Sequence, residues 1–95
     1  MIRRNPFATA MEVLEALREE PLSPSRLAQR CNINYGRLEE TLAPLRANGW
    51  ISSQKTGSQE VHTLTEQGLS ILLQYLTLWN EYQRGVKVTS GQEGF

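Results

Sequence analysis

Residues 23–64 constrain this chain more than any other stretch, because they read as two short helices joined by a tight turn and followed by a two-stranded hairpin. Leu27, Ala28 and Cys31 fall at i, i+1 and i+4, one apolar face of a short helix. Asn32 is too polar and turn-prone to extend that helix, and Ile33 can plug the gap to the next one. Asn34 then offers a side-chain oxygen to the orphan N–H groups that open the second helix. Leu38, Leu42 and Leu45 give that helix a buried stripe at i, i+4 and i+7. Its other face, with Tyr35, Arg37, Glu40 and Thr41, has nothing in the local sequence to pack on. A helix held on one side and bare on the other is the shape that a DNA major groove accepts.

The chain's 95 residues suffice for one domain with a modest core. No apolar run approaches the roughly 18 residues of a membrane span, and Arg3 and Arg4 are followed by no apolar signal-peptide segment. The single cysteine, Cys31, cannot close an internal disulfide, which fits a reducing cytoplasm, and it reads as a small buried hydrophobe. His62, the one histidine, has no second His or Cys with which to share zinc, so no metal or other cofactor is expected. There is no aspartate and no glycine-rich phosphate loop, and no Ser/His/acid or Cys/His arrangement can be built. An enzyme is therefore not expected. The formal net charge of zero argues against a strongly DNA-coating protein, which would usually be basic. The charge is segregated, however. Between Arg26 and Lys55 lie five basic residues (Arg26, Arg30, Arg37, Arg46, Lys55) and two acidic ones (Glu39, Glu40), and five minus two leaves +3. The first helix is the counterweight, with Glu12, Glu15, Glu19 and Glu20 against Arg18.

Asn5-Pro6 opens that first helix as a cap followed by proline, and Phe7, Ala10, Met11, Leu14 and Leu17 follow at helical spacing with Val13 on the shoulder. Pro21 ends it near Glu20, leaving Leu22 room for a bridge of one or two residues. Ser23-Pro24 repeats the start signal, and Ser25 and Arg26 sit near a helix N-terminus, where they either meet a phosphate or stay solvated. In the helix over residues 35–48, Gly36 weakens the first turn by about 1 kcal/mol. Pro44 deletes a bond to the Glu40 carbonyl, so a kink or loosening is expected over residues 40–44. Gly49 suits the left-handed position after the helix.

Two β-prone runs, Trp50 onward and Glu60 onward, flank the turn residues Thr56-Gly57-Ser58-Gln59, which predicts a hairpin. Trp50 or Ile51 on one strand and Val61 or Leu64 on the other would cover the core. Its small polar tip beside Lys55 suits a phosphate backbone or a minor groove, or plain solvent. Thr65 caps a last helix expected over residues 66–84, roughly 28 Å long. Leu69, Leu72, Leu76 and Trp79 form one stripe and Ile71, Tyr75, Leu78 and Tyr82 another. A helix apolar over more than one face must be buried on more than one side. One side can pack on the first helix, and a second copy is the simplest partner for the other. An effector pocket lined by Tyr75, Trp79 and Tyr82 is the alternative. Residues 85–95, with three glycines, are expected to form a flexible tail, in which Val86-Lys87-Val88 could add an edge strand.

The order of these elements resembles the winged-helix superfamily. It is most similar to small archaeal winged-helix DNA-binding proteins, whose MarR/PadR-like domain carries one long C-terminal dimerising helix. The carrying residues are Leu22-Ser23-Pro24-Ser25-Arg26-Leu27-Ala28, Asn32-Ile33-Asn34-Tyr35, Leu42 and Leu45 before Gly49-Trp50-Ile51, and Leu64-Thr65-Glu66-Gln67-Gly68. The resemblance implies a mainly α (α+β) winged helix-turn-helix, with a three-helix core, a β-hairpin wing and a long C-terminal helix. Residues 1–64 would form the DNA-binding core, 65–84 the dimerisation helix and 85–95 the tail. Base reading then maps to Asn34, Tyr35, Arg37 and Thr41, phosphate contact to Ser25 and Arg26, and the wing to Lys55, Ser58 and Gln59. Leu69, Leu72, Tyr75, Leu76, Trp79 and Tyr82 would pair two copies as a coiled coil. The implied function is a homodimeric protein of double-stranded DNA, a transcriptional regulator or a small nucleoid-associated chromatin protein. A protein-interaction module without DNA is the alternative, suited by the low net charge and by Glu39-Glu40.

Overall fold

A computed structural model describes residues 5–93. Six elements follow in order: α1 (Pro6–Glu19), α2 (Pro24–Cys31), α3 (Tyr35–Ala47), β1 (Ile51–Thr56), β2 (Gln59–Leu64) and α4 (Glu66–Glu93). Each short helix starts where a side chain takes up an orphan amide. Asn5 Oδ1 accepts from the Ala8 N–H at 2.7 Å, Ser23 Oγ from the Arg26 N–H at 3.5 Å and Asn34 Oδ1 from the Arg37 N–H at 2.8 Å. Asn32 ends α2 in the left-handed region (φ 57, ψ 48), where its own N–H reaches the carbonyls of Ala28 and Gln29. Gly49 ends α3 in the same way with φ 76. Pro44 does not interrupt α3, which is a single span from Tyr35 to Ala47. Glu40 and Pro44 both lie on the exposed side, where water can satisfy the freed carbonyl.

One core joins the elements. Met11, Val13, Leu14 and Leu17 of α1 meet Leu27 of α2, the three α3 leucines, Ile51 of β1 and Leu72 of α4. Phe7, expected in the α1 stripe, is exposed and instead sets its edge against Tyr75, with ring centroids 5.6 Å apart. Leu22 forms the bridge: its N–H donates to the His62 carbonyl at 3.1 Å and its carbonyl accepts from the His62 N–H at 2.9 Å. That bridge ties the α1–α2 linker to the hairpin. The hairpin pairs Ile51 with Leu64 through Thr56 with Gln59, so its turn is Gly57-Ser58 alone, two residues shorter than expected. Gly57 takes the positive φ, 65°, that such a short turn requires.

The Thr65 hydroxyl donates to the Gly49 carbonyl at 2.6 Å and accepts the Gly68 N–H at 3.0 Å, fixing the start of α4 against the end of α3. Gly68 is required there, because a Cβ would run into the Trp50 carbonyl oxygen. Two expectations for α4 need correction. Leu72 is not available for pairing with another copy, because it is 0% exposed inside its own domain. The helix also continues to Glu93 rather than ending near residue 84, so Val86-Lys87-Val88 is helical and residues 85–93 are no loose tail. Glycine weakens a helix by about 1 kcal/mol without barring its dihedrals, and the Glu81–Arg84 ion pair, 3.2 Å, braces the turn before Gly85. Arg3, Arg4 and the last two tail residues lie outside the described residues. Past Leu76, α4 leaves the core and projects, giving the molecule extents of 60 × 31 × 20 Å. No helix among the described residues is long and apolar enough to cross a membrane.

Candidate nucleic-acid interface

The three α3 leucines fix which way the rest of that helix faces. With Leu38, Leu42 and Leu45 buried, Gly36, Arg37, Glu39, Glu40, Ala43 and Pro44 are turned to solvent, and Tyr35 is 62% exposed. The face that has nothing in the local sequence to pack on is thus open to solvent. Two polar groups on it are partly committed. Asn34 spends its Oδ1 on the cap, leaving Nδ2 to donate outward. The Thr41 hydroxyl, half-buried, donates to the Arg37 carbonyl at 3.0 Å and retains only acceptor capacity. Ser25 and Arg26 are exposed on the first turn of α2. At the hairpin tip Lys55, Ser58 and Gln59 are exposed, and Lys55 stands opposite Glu60 in the register.

Ion pairing redistributes the charge counted from sequence. Arg30 reaches Glu20 at 3.0 Å and Glu19 at 3.7 Å, and Arg46 reaches Glu39 at 3.0 Å. Exposed pairs of this kind contribute roughly 0–1 kcal/mol to stability, but they do neutralise charge locally. Of the five cations between Arg26 and Lys55, those without an ion pair among the described residues are Arg26, Arg37 and Lys55. They lie on α2, α3 and the hairpin respectively. A shallow cleft of about 690 Å³ runs beside α3, between Pro6, Thr9 and Ala10 of α1 and Arg37, Glu40, Thr41 and Pro44.

On α4 the expected pairing residues divide. Tyr75 and Leu76 are half-buried against the core, Leu69 is at the edge of exposure, and Trp79 and Tyr82 are 47% and 64% exposed. Trp79 and Tyr82 approach each other at 6.0 Å on the outward side of the helix, while Tyr75 turns toward Phe7. Leu78, at 71%, is the most exposed large apolar side chain described. No group of three or more His, Cys, Asp or Glu able to hold a metal occurs among the described residues.

The burial of His62 is what the sequence reading does not anticipate. Its side chain is 1% exposed beneath the hairpin, with Nδ1 2.8 Å from Ser53 Oγ. Burial, with a smaller contribution from Arg46, holds the imidazole below its usual pKa, against the opposing pull of Glu60 and Glu39. The signal was there: His62 and Leu64 share a face by the two-residue strand period, so placing Leu64 inward brings in His62 rather than Val61.

A family model described as "Winged helix-turn-helix" matches residues 3–83. No curated protein matches the sequence. Among solved structures the chain is similar to a mutant of ZitR from Lactococcus lactis in apo form, at 16% identity over 93% of this chain and 69% of that one, with a TM-score of 0.74. It is also similar to another ZitR mutant in complex with DNA, at 16% identity, 90% and 60% coverage, and TM-score 0.71. The homodimeric winged helix-turn-helix DNA-binding domain Mb0332 from Mycobacterium bovis aligns at 13% identity, covering 81% of this chain and 72% of that one, with TM-score 0.72. Oxidised MarR from E. coli aligns at 25% identity, 70% and 50% coverage, and TM-score 0.66. The chain thus spans from 50% to 72% of the length of these structures, and the likeness is one of fold.

Proposed function

The chain belongs to the winged helix-turn-helix family, and from that premise we propose that it is a homodimeric, sequence-selective DNA-binding protein that regulates transcription or organises the nucleoid. The observation that carries this reading is the outward face of α3, exposed along its length and flanked by Arg26, Arg37 and Lys55, none of them spent on an ion pair among the described residues. In this reading α3 enters the major groove, where the Arg37 guanidinium offers its fork of donors to the O6 and N7 acceptors of a guanine. Tyr35, Thr41 and the free Nδ2 of Asn34 supply the adjoining contacts. Ser25 and Arg26, beside the positive end of α2, take one phosphate. Lys55, Ser58 and Gln59 carry the hairpin along the backbone or into the minor groove. Support comes from ZitR, a protein of similar fold held in complex with DNA.

The second copy is assigned to the projecting half of α4. Trp79 and Tyr82, continued by Leu69, Tyr75 and Leu76 toward the core, form an apolar surface that water covers unfavourably. A two-fold axis there sets two α3 helices on one side of the dimer, so half-sites fall about one helical turn apart. Support for self-association comes from Mb0332, a homodimeric DNA-binding domain of similar fold.

A salt-controlled mobility shift tests the reading. Replacing Arg37 with alanine weakens specific binding by about 1–3 kcal/mol, and unchanged affinity removes Arg37 from the contact surface. The ion pairs that occupy Arg30 and Arg46 favour a second reading, a protein-interaction module. Retention on heparin at low salt separates the two, since such a module passes through unretained.

A further inference from the structure

Successive residues of an α-helix advance by about 100° around its axis. With Leu38, Leu42 and Leu45 pointing inward, the residues of α3 directed most nearly away from the core are Glu40 and Ala47. Gly36, Ala43, Pro44 and Ala47, the neighbours of Glu40 along that face, are all exposed and all short or compact. Nothing longer than the Glu40 carboxylate therefore stands at the centre of the face, and Arg37 lies on one flank of it. The two adjacent glutamates also differ. Glu39 is neutralised by Arg46 at 3.0 Å, whereas Glu40 has no hydrogen-bond or ion-pair partner for its side chain among the described residues.

An unpaired carboxylate leading a helix into a polyanion opposes binding unless the groove floor offers it a donor. In the major groove the donors are the N4 amino group of cytosine and the N6 amino group of adenine. Adenine N6 lies beside the N7 acceptor, which repels a carboxylate, whereas cytosine presents its amino group without N7 next to it. The guanine of a neighbouring pair is then within the span of Arg37, three residues earlier on the same side of the helix.

We propose that Glu40 is a specificity-determining residue, whose carboxylate accepts the N4 amino group of a cytosine near the middle of each half-site and whose charge suppresses binding to other sequence. The assignment rests on the DNA-binding reading above and deepens it by naming the base. It also gives a neutral chain a means of selectivity: binding to arbitrary duplex stays weak because one contact is repulsive unless it is satisfied.

The test measures three duplexes at one salt concentration: the duplex that the wild-type protein selects from a random pool, the same duplex with the central cytosine of each half-site changed to thymine, and a scrambled duplex. The wild type should discriminate against thymine by about tenfold, since thymine presents an acceptor where cytosine presents a donor. The E40A variant should lose that discrimination and bind the scrambled duplex more tightly than the wild type does. The E40Q variant should shift its preference to adenine, whose N6 and N7 match a carboxamide. Equal tightening of E40A on all three duplexes would reduce Glu40 to a source of repulsion and overturn the proposal while leaving the DNA-binding reading in place. A wild-type protein that selects and binds no duplex would overturn both.

Discussion

α3 and α4 each bury one side and leave the other in solvent, and the two uncovered sides have opposite chemistry. α3 turns out Gly36, Arg37, Glu40 and Ala43, whereas the projecting half of α4 turns out Leu78, Trp79 and Tyr82. A face of the first kind is stable in water and can wait for a ligand that comes and goes. One of the second kind forgoes roughly 25 cal/mol for every Å² of apolar surface left uncovered. The proposed second copy would cover it. Apolar spacing alone gives both helices an inner face. What separates a reading surface from a pairing surface is the chemistry of the side that the core does not use.

The contrast within α4 gives the largest expected effect. Leu72→Ala should cost about 2–5 kcal/mol in urea unfolding, because the side chain is enclosed by its own domain. The same truncation at Leu78, standing in solvent, should change the stability of the single copy by less than about 0.5 kcal/mol. Equal losses at the two positions would erase the distinction between a core half and a projecting half. Next comes the pairing surface itself. The double substitution Trp79→Glu and Tyr82→Glu should shift the protein to monomer in sedimentation equilibrium with its thermal midpoint nearly kept at high dilution. An unshifted mass would remove α4 as the pairing element. The Arg37→Ala loss of affinity, by contrast, should come with no change in unfolding, since that guanidinium makes no ion pair among the described residues.

The smallest effect concerns His62. Its pKa is lowered by burial from a usual value of 6.5. Over the interval below 6.5 the unfolded chain therefore binds more protons than the folded one. The stability contributed by the neutral, buried imidazole is complete above that value and declines as pH falls through the interval. Thermal melts taken at about pH 7.5 and about pH 5 should show this decline, and His62→Gln should flatten it. A wild-type midpoint that rises on acidification would contradict the assignment.

Much of this molecule is written locally. Asn5-Pro6, Ser23-Pro24 and Asn34 mark helix starts because cap chemistry involves residues only three apart. The bare face of α3 was legible for the same reason, since three leucines settle the inner side and leave Tyr35 and Arg37 outside. What escaped depends on distant partners. Arg30 and Arg46 counted as free cations until the turn after α1 brought Glu20 to the first and the helical repeat brought Glu39 to the second. The burial of His62 is not legible because a polar residue is seldom buried, and the Ser53 hydroxyl that gives its ring a partner lies across the hairpin. Leu72 was misplaced because a helix apolar around most of its circumference does not reveal which stripe meets its own domain. The extension of α4 past Gly85 was hidden by composition, as glycine disfavours a helix without forbidding it.

The central claim is that two copies of α3 read neighbouring major grooves about a two-fold axis through α4. Selection of duplexes from a random pool, followed by sequencing of the bound fraction, tests it most directly. The expected result is a pseudo-palindromic consensus whose half-sites lie about 10 base pairs apart. A bound fraction indistinguishable from the input, or a consensus with no two-fold symmetry, would contradict it.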